Sequence, residues 1–149
     1  FKVITNYATG STQEKSICIE KKYANAVGTI LSSNLFFWFY QIYSDNLHIK
    51  SYEIESFRIP CGKLSNEIIA DIEQLYIEYL KDIERNANIR QTTRYANIDS
   101  FKEYKIGKSK PIIDRIDDLI CPLYGLTDKE IEFIKNYEIE YRLSNEAYG

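Results

Sequence analysis

The sequence has no methionine, one histidine (His48) and one tryptophan (Trp38), and its six glycines and three prolines stand singly along 149 residues. With Phe1 first and no methionine anywhere, the chain is expected to be a piece of a longer protein. A single histidine rules out two-histidine metal sites and leaves any nucleophile short of a partner base. Cys18, Cys61 and Cys121 are odd in number and far apart, which fits neither a disulfide framework nor the close pairs of a zinc site. They read as reduced thiols of a cytoplasmic protein. No glycines cluster into the tight turn that lets backbone approach S-adenosylmethionine. Pro60, Pro111 and Pro122 are isolated, so the Asn-Pro-Pro-Tyr loop that holds a flipped adenine is missing as well. The longest apolar run, Leu35 to Tyr40, falls far short of the roughly 20 residues that cross a bilayer, and the residues before it within this sequence show no signal-peptide pattern. No membrane partner is expected.

What is present is an ordinary globular composition, 44% hydrophobic, enough for one domain with a core. The net charge of −3 speaks weakly against nucleic acid, but its distribution does not. Between Arg85 and Lys110 seven cationic residues meet two acidic ones, a net +5, while residues 112–149 carry four against nine, a net −5. Such asymmetry lets an acidic protein present a local phosphate-attracting surface, although a charge block also serves simply to solvate an exposed face.

Residues 1–22 mix β-formers around a polar centre and predict two short strands. Residues 23–84 predict a helical core. Ala24, Val27, Ile30, Leu31, Leu35, Phe39 and Tyr43 recur at helical spacing, and Phe37, Trp38 and Ile42 thicken that helix until it should be nearly enclosed. A second helix is expected from about Ser65 and should fray near Asn86. Residues 86–99 lack apolar periodicity and read as an exposed connection, with a short strand at Phe101 to Ile106 ended by Gly107. Residues 111–149 predict a helical hairpin: Pro111 suits a first turn, Gly125 a C-terminal stop, and Thr127 with Glu130 a capping box stapled by Leu126 and Ile131. The fold class is therefore α+β, mostly helical with a small sheet.

Chemistry is sparse. Glu103-Tyr104-Lys105 and Glu20-Lys21-Lys22 match only the short half of a Mg2+-dependent nuclease pattern, with no suitably spaced upstream acid. Asp117 and Asp118 read as a solvated helix face. Asn46, His48 and Lys50 lie in a polar loop, as capping groups or as donors to DNA. Arg85, Arg90, Gln91, Thr92, Thr93 and Arg94 have the side chains that match guanine edges, adenine edges, phosphates and thymine methyls, yet the same composition suits a polar linker.

Two stretches add a resemblance. Gly28-Thr29-Ile30-Leu31-Ser32-Ser33-Asn34-Leu35-Phe36-Phe37-Trp38-Phe39-Tyr40 with Phe57-Arg58-Ile59-Pro60 resembles a segment of restriction-modification specificity domains. Lys108-Ser109-Lys110-Pro111-Ile112-Ile113-Asp114 with Tyr124-Gly125-Leu126-Thr127-Asp128-Lys129-Glu130 resembles the C-terminal end of Eco57I-like fused restriction and adenine methyltransferase enzymes. The match runs loosely from about residue 24 to 142. It implies a TaqI-like specificity domain that reads double-stranded DNA for nuclease and N6-adenine methyltransferase domains elsewhere in the parent chain. S-adenosylmethionine and Mg2+ would belong to those domains, and this piece would hold no cofactor and no catalytic residue. Within that frame residues 85–110 face DNA. Arg90, Gln91 and Arg94 are the candidate base readers, and Lys102, Lys105, Lys108 and Lys110 the candidate phosphate contacts. The rival expectation is a non-enzymatic interaction module docking on the rest of its parent.

Overall fold

Ser33 divides the aromatic stretch that apolar spacing alone joins into one helix. The computed structural model describes residues 3–11, 14–45, 49–94, 97–140 and 142, with 92–94 and 97–99 as backbone only. Helix α1 (Lys21–Leu31) stops at Ser32, and α2 (Asn34–Tyr43) begins behind Ser33, whose hydroxyl accepts the Phe36 amide at 3.0 Å. The expected single helix is thus two, because serine competes for backbone groups within a helix and satisfies them at its start. The expected enclosure holds for Leu35 and Phe36 but not for the far end, where Ile42 and Tyr43 are exposed.

The chain continues through α3 (Ser51–Ser56), a 3₁₀ turn (Cys61–Lys63) and the long α4 (Asn66–Arg85). Strands β1 (Asn88–Arg94) and β2 (Asn97–Glu103) follow, then a 3₁₀ turn (Ile106–Ser109), α5 (Lys110–Ile120), a 3₁₀ turn (Cys121–Tyr124) and α6 (Asp128–Asn136). The protein is α+β and mostly helical, with a two-stranded sheet among the described residues. No helix among them is long and apolar enough to cross a membrane.

Helix α4 is the centre of the core. Ser65 caps it by accepting the Ile68 amide, and Ile69, Ile72, Leu75, Tyr76, Tyr79 and Ile83 lie buried along one side. Each such aliphatic side chain removed from water stabilises the fold by roughly 1.5 to 3 kcal/mol. Helices α1 and α5 pack on α4. The approach of α1 is so close that a Cβ on Gly28 would stand 2.7 Å from the Tyr76 hydroxyl oxygen. Helix α6 packs on α2 and α5, completing the expected hairpin. Pro111 sits in the first turn of α5, Gly125 takes φ 76°, and Thr127 and Glu130 cap each other's backbone.

Three further expectations are corrected. The described part of residues 3–20 carries no strand. Instead Val3, Ile4 and Ile19 pack against the helical core and the Tyr76 hydroxyl donates to the Ile4 carbonyl at 3.2 Å. A strand needs a neighbour with a matching ladder, and this segment lies beside helices. Residues 88–94, expected in an exposed connection, are β1, and β2 covers 97–103 rather than 101–106.

Third, Asp117 is not on a solvated face: its side chain is fully buried, while Asp118 is exposed and pairs with Lys135 at 2.5 Å. The Asp117 carboxylate accepts the backbone amides of Asn34 and Leu35 at 3.1 and 3.0 Å and the Asn34 side-chain amide at 2.7 Å. The first turn of a helix has free N–H groups and a positive dipole end, and a carboxylate from α5 answers both at the start of α2. Burial still dominates its protonation, pushing the carboxyl up to about 6 against the opposing pull of those N–H donors.

Candidate nucleic-acid interface

The last turn of α4 leads directly into the sheet. Asn86 closes the helix, and the chain reverses after Arg94 to pair antiparallel, with Asn88 opposite Glu103 and Arg94 opposite Asn97. The β-branched Ile89, Thr92, Thr93 and Ile98, with Phe101, favour this pleated conformation, and only residues 95 and 96 separate the strands. The closest packing of the ribbon is strand on strand, and Ile89 (74% exposed) and Phe101 (49%) remain in solvent. A lone two-stranded ribbon is marginal in water, so its attachment at the base matters.

Glu84, one residue before the end of α4, makes that attachment. Its carboxylate accepts the Tyr7 hydroxyl at 2.6 Å, the Tyr104 hydroxyl at 2.8 Å and the Lys102 ammonium at 2.6 Å. One side chain therefore joins the N-terminal segment, the helix and the ribbon. Lys102, followed by the two hydroxyls, holds the Glu84 carboxyl down to about 2. A second carboxylate, Glu103, accepts Arg90 Nε at 2.5 Å and lies 3.5 Å from Lys105 Nζ. Arg90, followed by weaker contributions that include Lys105, holds its carboxyl below the usual range.

The predicted site residues divide by place. Arg90, Lys102 and Lys105 gather at the ribbon base around these two carboxylates. Gln91 is exposed on β1, and Thr92, Thr93 and Arg94 lie in the same strand by backbone. Arg85 is widely exposed at the end of α4, 3.6 Å from Asp82. Lys108 is exposed in the turn before α5. Lys105 and Lys110 differ: their side chains are only 12% and 14% exposed, and Lys110 is paired with Asp114. Lys50 belongs to the approach to α3, where its partner is Asp45. Asn46 and His48 lie outside the described residues.

Sequence reading missed Glu84 and Tyr7, and met Glu103 and Tyr104 only as the short half of a nuclease pattern. An acid at the end of an amphipathic helix looks like any solvated charge, whereas the β-branched Ile89, Thr92, Thr93 and Ile98 were a usable strand signal. Among the described residues no group of three His, Cys, Asp or Glu side chains could hold a metal ion, and Gly10, Gly28, Gly62, Gly107 and Gly125 are too dispersed for a cofactor turn. Compared with family models, with curated proteins and with solved structures, the chain gives no match.

Proposed function

We propose that this chain is the target-recognition part of a restriction-modification adenine methyltransferase, binding double-stranded DNA for chemistry carried out by other domains of its parent. The observation that carries the reading is the β1–β2 ribbon: it extends from the end of α4, is exposed at Arg90 and Gln91, and has Lys102 at its base. The major groove of B-DNA admits a two-stranded ribbon of this kind, and the ribbon's two faces offer either the fork of Arg90, which matches guanine edges, or the amide of Gln91, which matches adenine edges. Arg85 and Lys108 flank the ribbon in sequence and are exposed for phosphate contact.

The ion pairs around the ribbon are compatible with this role. Exposed pairs such as Arg90 with Glu103 contribute about 0 to 1 kcal/mol and exchange readily for a phosphate or a base edge. Lys105 and Lys110, mostly covered, are less suited to direct phosphate contact.

A second reading, an interaction module docking on its parent, draws on the exposed Ile89, Phe101 and Phe133. Fluorescence anisotropy with a labelled duplex at several salt concentrations separates the two. Recognition of DNA gives an affinity whose logarithm falls linearly with the logarithm of salt. An affinity that is absent, or indifferent to salt, rejects the DNA reading and leaves the docking one.

A further inference from the structure

We propose that Arg90 and Glu103 form one guanine-reading unit, in which Arg90 touches the base and Glu103 is the positioning residue that aims it. The inference rests on the DNA-binding reading and assigns part of its sequence preference to named atoms.

Arg90 stands opposite Phe101 and Asn88 stands opposite Glu103, so Glu103 is the diagonal neighbour of Arg90 on the same face of the ribbon. Diagonal neighbours across an antiparallel pair are within reach of long side chains. The bond formed is specific in its atoms: Nε–H of Arg90 donates to Oε2 of Glu103 at 2.5 Å. A guanidinium anchored through Nε keeps both terminal nitrogens for another partner, and those two form the fork that matches O6 and N7 of guanine. The Arg90 side chain is 46% exposed, so the fork is open to solvent.

A cation that only met phosphate would need no such anchor, since an ammonium serves as a point charge in any orientation. Lys105 lies near the same Glu103 oxygen, so the carboxylate stays ionised beside Arg90. Phe101, on the same face and half exposed, offers an apolar surface next to the fork, suited to a thymine methyl beside the guanine.

The test is selection of the full chain on duplexes with a randomised stretch, sequencing the bound fraction at two salt concentrations, with Arg90→Lys, Arg90→Ala and Glu103→Gln. The helical circular dichroism signal checks that each variant is folded. The unsubstituted chain is expected to prefer guanine at one position. Arg90→Lys and Arg90→Ala should each reduce that preference about 5- to 150-fold, with the lysine variant keeping the salt slope. Glu103→Gln should reduce the guanine preference while raising affinity for all duplexes, since an acidic charge has left the phosphate-facing surface. A merely structural Glu103 would not move the two in opposite directions. Sequence preference that survives Arg90→Lys, or binding without any preference, overturns the inference and leaves DNA binding standing. Absence of salt-dependent duplex binding overturns both.

Discussion

Two carboxylates, Asp117 and Glu84, receive similar numbers of donors in opposite surroundings, and the contrast separates what holds the fold from what presents the ribbon. Asp117 is fully buried and takes backbone amides at the start of α2. Glu84 is one-third exposed and takes hydroxyls and an ammonium from the N-terminal segment and the ribbon. Removing Asp117 would orphan amides with no water to replace it, whereas water can replace Glu84. A buried acceptor is therefore a condition of folding, and an exposed one adjusts how firmly two segments are joined.

The sharpest way to break the comparison is Asp117→Ala, expected to cost about 3 kcal/mol or more because several buried donors lose their acceptor. Urea unfolding measures it, and a loss under about 1 kcal/mol would mean that solvent reaches the start of α2. The pH dependence comes next in size, and the two groups act in opposite directions. The folded-state value of Asp117, about 6, lies above its unfolded value, so the folded chain holds the proton more tightly. Its contribution is fully present in acid and is lost as pH rises from about 4 to about 6, amounting to at most about 3 kcal/mol. Glu84 is depressed to about 2, so its contribution is present above about pH 4.5 and lost as pH falls toward 2. Unfolding curves between pH 4.5 and 7 should show the first slope, and Asp117→Asn should abolish it.

Glu84→Gln sits lower on the scale. It should lower global stability by less than about 1 kcal/mol, yet amide exchange across residues 88–103 should quicken while α4 stays protected. Equal quickening in both would show that the ribbon and the helix open together. The smallest change expected is from Lys108→Ala, which should leave unfolding untouched and, on the DNA-binding proposal, flatten the salt slope by about 0.9, one phosphate's worth.

The same contrast explains what could be read from the residues beforehand. The buried stripe of α4, the α5 stripe from Ile113 to Ile120, the Gly125 turn and the Thr127–Glu130 cap are local patterns, and each appears where spacing puts it. The break at Ser33 had a local signal in the paired serines, but the acceptor for the Asn34 and Leu35 amides it frees is Asp117, far along the chain. The charge pattern that marked residues 85–110 as basic was real. Asp82 and Asp114 stand at helical spacing from Arg85 and Lys110, a local pattern, whereas Glu84 meets Lys102 and Glu103 meets Arg90 across the ribbon and its base, where sequence spacing leaves no periodic trace.

Asp117 reaches Asn34 across 83 positions of sequence. During synthesis α1 and α2 leave the ribosome long before α5 does, and for that interval the Asn34 and Leu35 amides have only water as acceptor. The angle at Ser33 is consequently set late. A nascent chain halted before residue 117 would carry two aromatic-rich helices that have yet to find their mutual orientation.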